Sequence, residues 1–218
     1  MSAAAVLPLP ADDSALTLCV GGRSVIDRTL ATLLAVPDVA RIVVAPQRAP
    51  CEELRAVLHG APPLVRVLGL HRGRPAALRR ALLVAGPVDR VLVHHSDLPL
   101  TAAAELEALL ALLDQSPCAV LGVPVKSTIK MARDGVIEGT LPREQLCYAT
   151  GPRAFRREAL ERALGERGEV DEMAAARRAG LPVAVMRASA ASCLRIAGPG
   201  DVELAEALLT CGAAGPAH

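Results

Sequence analysis

The sequence predicts an α/β domain built on a mostly parallel sheet with helices on both faces. Apolar, β-branched runs of strand length alternate with segments of helical period along most of the chain. Those runs are apolar throughout, as in strands buried on both sides. The stretch Arg90-Val91-Leu92-Val93-His94-His95-Ser96-Asp97-Leu98-Pro99-Leu100 passes from such a run into four polar residues, then a proline that cannot continue a ladder. Ligands of α/β domains bind beyond the carboxyl ends of the strands, so this polar tip is the first candidate site.

Taken in order, Ala3–Leu7 reads as the first strand and Pro8–Ser14 as a loop with Asp12, Asp13 and Ser14 as turn or cap residues. Leu16–Val20 reads as a short strand before Gly21-Gly22, and Val25, Ile26, Leu30, Leu33 and Leu34 have helical spacing behind a capping Ser24. Strands follow at Val39–Ala45 and Leu64–Leu68, with helices at Cys51–Leu58 and Pro75–Val84, the latter carrying arginines on its outer side. After the central strand, Thr101 is a plausible N-cap of a helix to Leu113. Ala119–Val123 is a further strand, leading into Asp134-Gly135, the strongest hairpin signal in the chain. Helices at Arg157–Leu164, Asp171–Ala179 and Val202–Leu209, and a strand at Val183–Met186, complete a single domain over residues 1–211. Residues 212–218 read as a disordered tail.

Composition excludes several functions. A net charge of +1 gives no electrostatic case for nucleic acid or an anionic membrane, and with one Tyr, one Phe and no Trp there is no aromatic platform for bases. Six scattered cysteines, with no C-x-x-C pair, support neither a zinc site nor a disulfide framework. Met1–Pro10 lacks a basic segment, and no apolar run approaches the roughly 20 residues a spanning helix needs, so the expectation is a cytoplasmic protein.

The order of signatures resembles the 2-C-methyl-D-erythritol 4-phosphate cytidylyltransferase family. Val91-Leu92-Val93-His94 followed by Pro99-Leu100 resembles its strand and catalytic edge. Pro124-Val125-Lys126-Ser127-Thr128-Ile129-Lys130 resembles its Pro-Val-(Lys/Arg)-Asp-Thr-(Ile/Met)-Lys arm, and Thr140-Leu141-Pro142-Arg143 with Leu146 its returning strand. Asp171-Glu172, Leu194-Arg195-Ile196 and Gly200–Ala207 match later segments. The resemblance implies a Rossmann-like nucleotidyltransferase (GT-A-like) three-layer fold with a protruding β-hairpin arm, about 125–143, through which a homodimer forms. It implies CMP transfer from CTP to a sugar-alcohol phosphate, as in isoprenoid precursor synthesis, with Mg²⁺ bridging the phosphates.

The departures fall on the chemistry. Where the family has a Gly-rich turn after the first strand, this chain has Pro8-Leu9-Pro10-Ala11-Asp12-Asp13-Ser14-Ala15-Leu16, with no glycine, arginine or lysine before Gly21. Prolines remove amide donors and aspartates repel phosphate. His95 stands at the family's metal-facing Asp, Leu98 at an Arg, Ala77 at a nucleotide-touching Ser, Gly151 and Val170 at substrate-binding Thr positions. Arg195 replaces a lysine.

By this resemblance the candidate catalytic residues are Arg143, Arg195 and Lys126. Substrate contacts fall to Thr128, Lys130, His95, Asp97 and Asp171. Apart from the resemblance, the residues themselves offer Arg74, from a basic cluster, for nucleotide contact and Asp97 or Asp13, as acidic groups replacing the lost Asp, for metal ligation. Each has a plainer reading: His94 and His95 as one core and one surface histidine, Asp12-Asp13 as a cap, and the cluster His71, Arg72, Arg74, Arg79 and Arg80 as a solvated helix face. Two functions remain open. One is a homologue impaired in CMP transfer that persists as a dimeric ligand- or partner-binding protein. The other is an active cytidylyltransferase using Mg²⁺, CTP and a polyol phosphate.

Overall fold

In a computed structural model of the chain, residues 2–70, 73–165 and 171–212 are described. Six strands run the same way: β1 (Ala3–Pro8), β4 (Val39–Ala45), β5 (Val65–Val67), β6 (Arg90–Val93), β7 (Cys118–Pro124) and β12 (Val183–Arg187). Two run against them, β10 (Cys147–Tyr148) and β11 (Arg153–Arg156). Along the sheet the order is β10-β7-β11-β6-β1-β4-β5, with β12 also on β7. A small ribbon, β2 (Cys19–Val20) with β3 (Arg23–Ser24), and the hairpin β8 (Ile129–Arg133) with β9 (Val136–Leu141) stand apart.

Among the described residues seven helices cover the sheet: α1 (Val25–Leu34), α2 (Glu52–His59), α3 (Arg74–Ala85), α4 (Ala103–Ala111), α5 (Arg157–Gly165), α6 (Glu172–Arg178) and α7 (Pro199–Thr210). The alternation within β1 shows how the core divides. Ala3, Ala5 and Leu7 pack with α1, α2, α4 and α7 on one face, while Ala4 and Val6 pack with α3, α5 and α6 on the other. With almost no aromatic volume available, small side chains on the central strands let the helices approach closely, and Phe155 fills the middle of the second layer.

Several local expectations change. Leu16–Val20 is not one strand: Ser14–Thr17 forms a 3-10 turn and only Cys19–Val20 is extended. Thr101 does not cap α4; its hydroxyl donates to the Ser192 carbonyl at 2.9 Å, and the Glu105 carboxylate instead accepts from the Ala102 amide. The strand β11 is a real addition, an antiparallel insert between β6 and β7 that local pattern did not reveal. The hairpin turn is as expected. Asp134 and Gly135 both take left-handed backbone angles (φ 49° and 80°), the pair a tight two-residue turn requires and one that Asp-Gly reaches at low cost. Among the described residues no helix is long and apolar enough to cross a membrane. The expected tail from 213 onward, and His71, Arg72 and Val170, lie outside the described residues.

Candidate active site

The cleft forms where β1, β4 and β6 end, a volume of about 420 Å³ lined by Pro8, Leu9, Pro10 and Gln47 on one side. Arg74, His95, Ser96, Asp97, Arg153, Asp171 and Arg195 line the other. The polar tip of β6 is its floor. Thr29 on α1 donates to the Ser96 carbonyl at 3.1 Å, and the Ile196 amide donates to the Asp97 carbonyl at 2.9 Å, which sets Arg195 beside Asp97.

His94 and His95 separate as their neighbourhood dictates. His94 is fully buried, and its Nδ1 lies 2.6 Å from the His95 carbonyl. A carbonyl only accepts, so Nδ1 carries the proton, and burial lowers the ring's pKa to about 4. His95 is not a surface residue; it lines the cleft. Burial first, then the charges of Arg74, Arg153 and Arg195, push its pKa down to about 2, so it is a neutral imidazole at any ordinary pH.

Ion pairs organise the rest. Arg195 donates from Nε (2.9 Å) and Nη2 (2.5 Å) to one oxygen, Asp97 Oδ2. Glu172, almost completely buried, accepts from both Arg74 and Arg153. Arg153 Nη2 reaches Asp171 Oδ2 at 2.6 Å, and Asp171 Oδ1 caps α6 through the Met173 and Ala174 amides. Buried guanidinium and carboxylate groups persist only when paired in this way. Among the described residues four buried side-chain polar atoms have no partner, His94 Nε2, His95 Nε2, Asp97 Oδ1 and Arg153 Nε, and the last three belong to side chains that line the cleft.

Of the residues singled out from sequence, Arg74, His95, Asp97, Asp171 and Arg195 meet in this cleft. Arg74 turns away from the solvated face assigned to it, because Glu172 draws it inward. Asp13 does not stand free as a metal ligand; it is buried and accepts from the Cys51 amide just ahead of α2 (3.2 Å), and its side chain does not cap the 3-10 turn that follows it. Asp97 likewise is bound to Arg195 rather than open. Lys126, Thr128, Lys130 and Arg143 are exposed on the arm and do not line the cleft of their own chain. Lys130 Nζ donates to the Thr140 hydroxyl at 2.6 Å and Arg143 Nη1 to the Lys126 carbonyl at 3.0 Å, so these groups brace the hairpin.

Arg153, Glu172 and Gln47 were not expected in the cleft. For Glu172 the adjacency to Asp171 was a signal; for Arg153 there was none, since its position depends on the unforeseen β11. Gly151 also gains a reason. A Cβ there would lie 2.6 Å from Leu121 Cβ and 2.9 Å from Cys193 Sγ, so the backbone as it stands has no room for threonine.

The loop after β1 is the other wall, and three of its amides are committed. The Leu9 amide bonds the Ala45 carbonyl (3.1 Å), the Ser14 amide bonds Asp12 Oδ1 (3.1 Å), and the Leu16 amide bonds the Asp13 carbonyl (3.0 Å). Pro8 and Pro10 have none to give. Asp12 is fully exposed, its carboxyl held below the usual range by the hydrogen bonds from Ser14.

This arrangement, a three-layer α/β domain with a cleft at the strand ends and a detached hairpin, is that of the cytidylyl-transferring nucleotidyltransferases. The described solved structures agree. The 4-diphosphocytidyl-2C-methyl-D-erythritol synthase of Anaerococcus prevotii superposes with a TM-score of 0.83 over 96% of each chain at 20% identity, a likeness of fold. The 2-C-methyl-D-erythritol 4-phosphate cytidylyltransferase of Thermus thermophilus does so at 0.74 and 26% identity, covering 96% of this chain and all of the other. The family model described as IspD, 2-C-methyl-D-erythritol 4-phosphate cytidylyltransferase, matches residues 9–211, and the relative of that name from Cereibacter sphaeroides is 36% identical over 88% of this chain and 87% of its own. The chain belongs to the 2-C-methyl-D-erythritol 4-phosphate cytidylyltransferase family.

Proposed function

We propose that this family member binds a phosphorylated polyol in the cleft and is impaired in CMP transfer, acting as a dimeric ligand-binding homologue. The observation that carries the reading is the state of the loop after β1. Triphosphate sites of this kind rely on backbone amides pointing at the phosphates. Here the Leu9, Ser14 and Leu16 amides are spent within the protein and two further positions are proline. Losing one preorganised donor costs on the order of 10²–10³ in rate, and several are missing together. Pyrophosphate release from CTP with 2-C-methyl-D-erythritol 4-phosphate and Mg²⁺ tests this directly. A rate several orders of magnitude below that of the Cereibacter sphaeroides relative is expected, and turnover at a comparable rate would refute it.

A second reading, an active cytidylyltransferase, is favoured by the identity to curated relatives of that name and by the three arginines in the cleft. In it, guanidinium groups would take over the grip that the amides have lost. Saturable CTP binding would support that reading.

The dimer rests on the hairpin, where Met131, Val136 and Ile137 are exposed on strands detached from the main sheet. Removing residues 131–136 is expected to give monomers by light scattering. An unchanged dimer would assign the interface elsewhere.

A further inference from the structure

The family's chemistry implies Mg²⁺, and the residues of this cleft do not fit it. Mg²⁺ requires near-octahedral oxygen ligands at about 2.0–2.1 Å, usually with one or two carboxylates among them. Each carboxylate here is bound by a guanidinium, Asp97 by Arg195, Glu172 by Arg74 and Arg153, Asp171 by Arg153 and by the start of α6, and only one oxygen, Asp97 Oδ1, is left without a partner. At the family's metal-facing position stands His95, an imidazole, which suits softer metals better than Mg²⁺. Among the described residues no group of three or more His, Cys, Asp or Glu side chains is placed to hold a metal ion.

What disfavours a cation suits an anion. Arg153 is more than nine-tenths buried, lines the cleft, and has an Nε with no partner. Arg195 sits at the rim with its side chain 48% exposed, and both of its bonds run to a single oxygen of Asp97. The other oxygen, Oδ1, has no partner and can only accept, which asks for a hydroxyl donor. Arg74, Arg153 and Arg195 act on His95 from around the cleft, and each is also paired with a carboxylate, Glu172, Asp171 or Asp97. Guanidinium forks match phosphate oxygens in a way that a hydrated ammonium does not.

We infer that the cleft is an arginine-lined oxyanion site that holds the phosphate of a hydroxylated ligand without a divalent cation, through Arg153 and Arg195. This rests on the reading above that the chain binds a phosphorylated polyol, and it replaces the family's metal with protein charge. Calorimetry of the full chain with inorganic phosphate as probe tests it, run once in EDTA and once with Mg²⁺, alongside Mg²⁺ alone. Phosphate affinity is expected to agree within about twofold between the two buffers, Mg²⁺ alone to give no saturable heat, and Arg195→Gln to weaken phosphate about tenfold or more. Arg153→Gln is expected to do the same where its melting curve shows a folded protein; Arg195, being at the rim, keeps the test valid if it does not.

Phosphate binding that needs Mg²⁺, saturable binding of Mg²⁺ by itself, or absence of phosphate binding would overturn the inference. The outcome is separable from that of the turnover assay. CMP transfer that continues in EDTA would end the impaired-transfer reading and leave the metal-free site standing, whereas Mg²⁺-dependent phosphate binding without turnover would do the reverse.

Discussion

The two ends of the sheet use the same residue type for different work. At the amino ends, arginines close helix termini. Arg41 donates to the Val84 and Ala85 carbonyls at the end of α3 (2.9 and 3.1 Å), Arg157 to Leu82 and Gly86, and Arg156 to Leu113 and Asp114 just beyond α4. Carbonyl oxygens left over at helix ends need donors, and a guanidinium supplies several from one side chain. At the carboxyl ends, Arg74, Arg153 and Arg195 meet carboxylates, as Arg90 meets Asp114 and Arg157 meets Glu161 at the amino ends, but here unpartnered polar atoms remain around the cleft. The cleft at the amino end is the larger, about 600 Å³ against about 420 Å³. Size therefore does not mark the site; incomplete pairing does. The strand β11 carries both roles, with Arg153 at one end and Arg156 at the other.

The sharpest way to break this contrast is Glu172→Ala. It would leave two guanidiniums facing each other in a mostly buried space, and a loss of about 3–5 kcal/mol is expected in urea unfolding. A loss comparable to that of an amino-end substitution would show that the carboxyl-end pairs are ordinary staples. Next comes pH. The unfolded His94 ring takes up a proton near 6.5 and the folded ring only near 4, so between those values the unfolded state holds more protons. Stability should fall by roughly 3 kcal/mol as pH drops from 6.5 to 4 and be unaffected by this ring above 6.5. His95 adds to the same slope, and His94→Gln should flatten it in urea midpoints measured across the range. The smallest effect is Arg156→Ala, about 1 kcal/mol, from hydrogen bonds at a partly exposed helix end. It should leave phosphate binding untouched, and a change in binding there would erase the distinction between the two ends.

The sequence carried some parts of the site and not others, for reasons of range. The tip of β6 was legible because the change from apolar run to polar residues happens within a few positions. The Asp-Gly turn was legible because backbone preference alone decides it. Arg153 was not. The segment Arg153-Ala-Phe-Arg156 has charged ends and no periodicity, and only its insertion between β6 and β7 makes it a strand. Arg74 looked like one of several arginines on a wet helix face until packing brought it against Glu172, 98 positions away. Asp13 looked available for a metal until α2 claimed its carboxylate.

By itself the chain order of apolar runs, helix caps and turn residues determined a layered α/β domain with a protruding hairpin, since those signals act over neighbouring residues. Which carboxylate each guanidinium would take was left to the tertiary structure. A charge buried in the interior must find its counter-charge wherever folding places it, and a linear sequence has no measure of that distance.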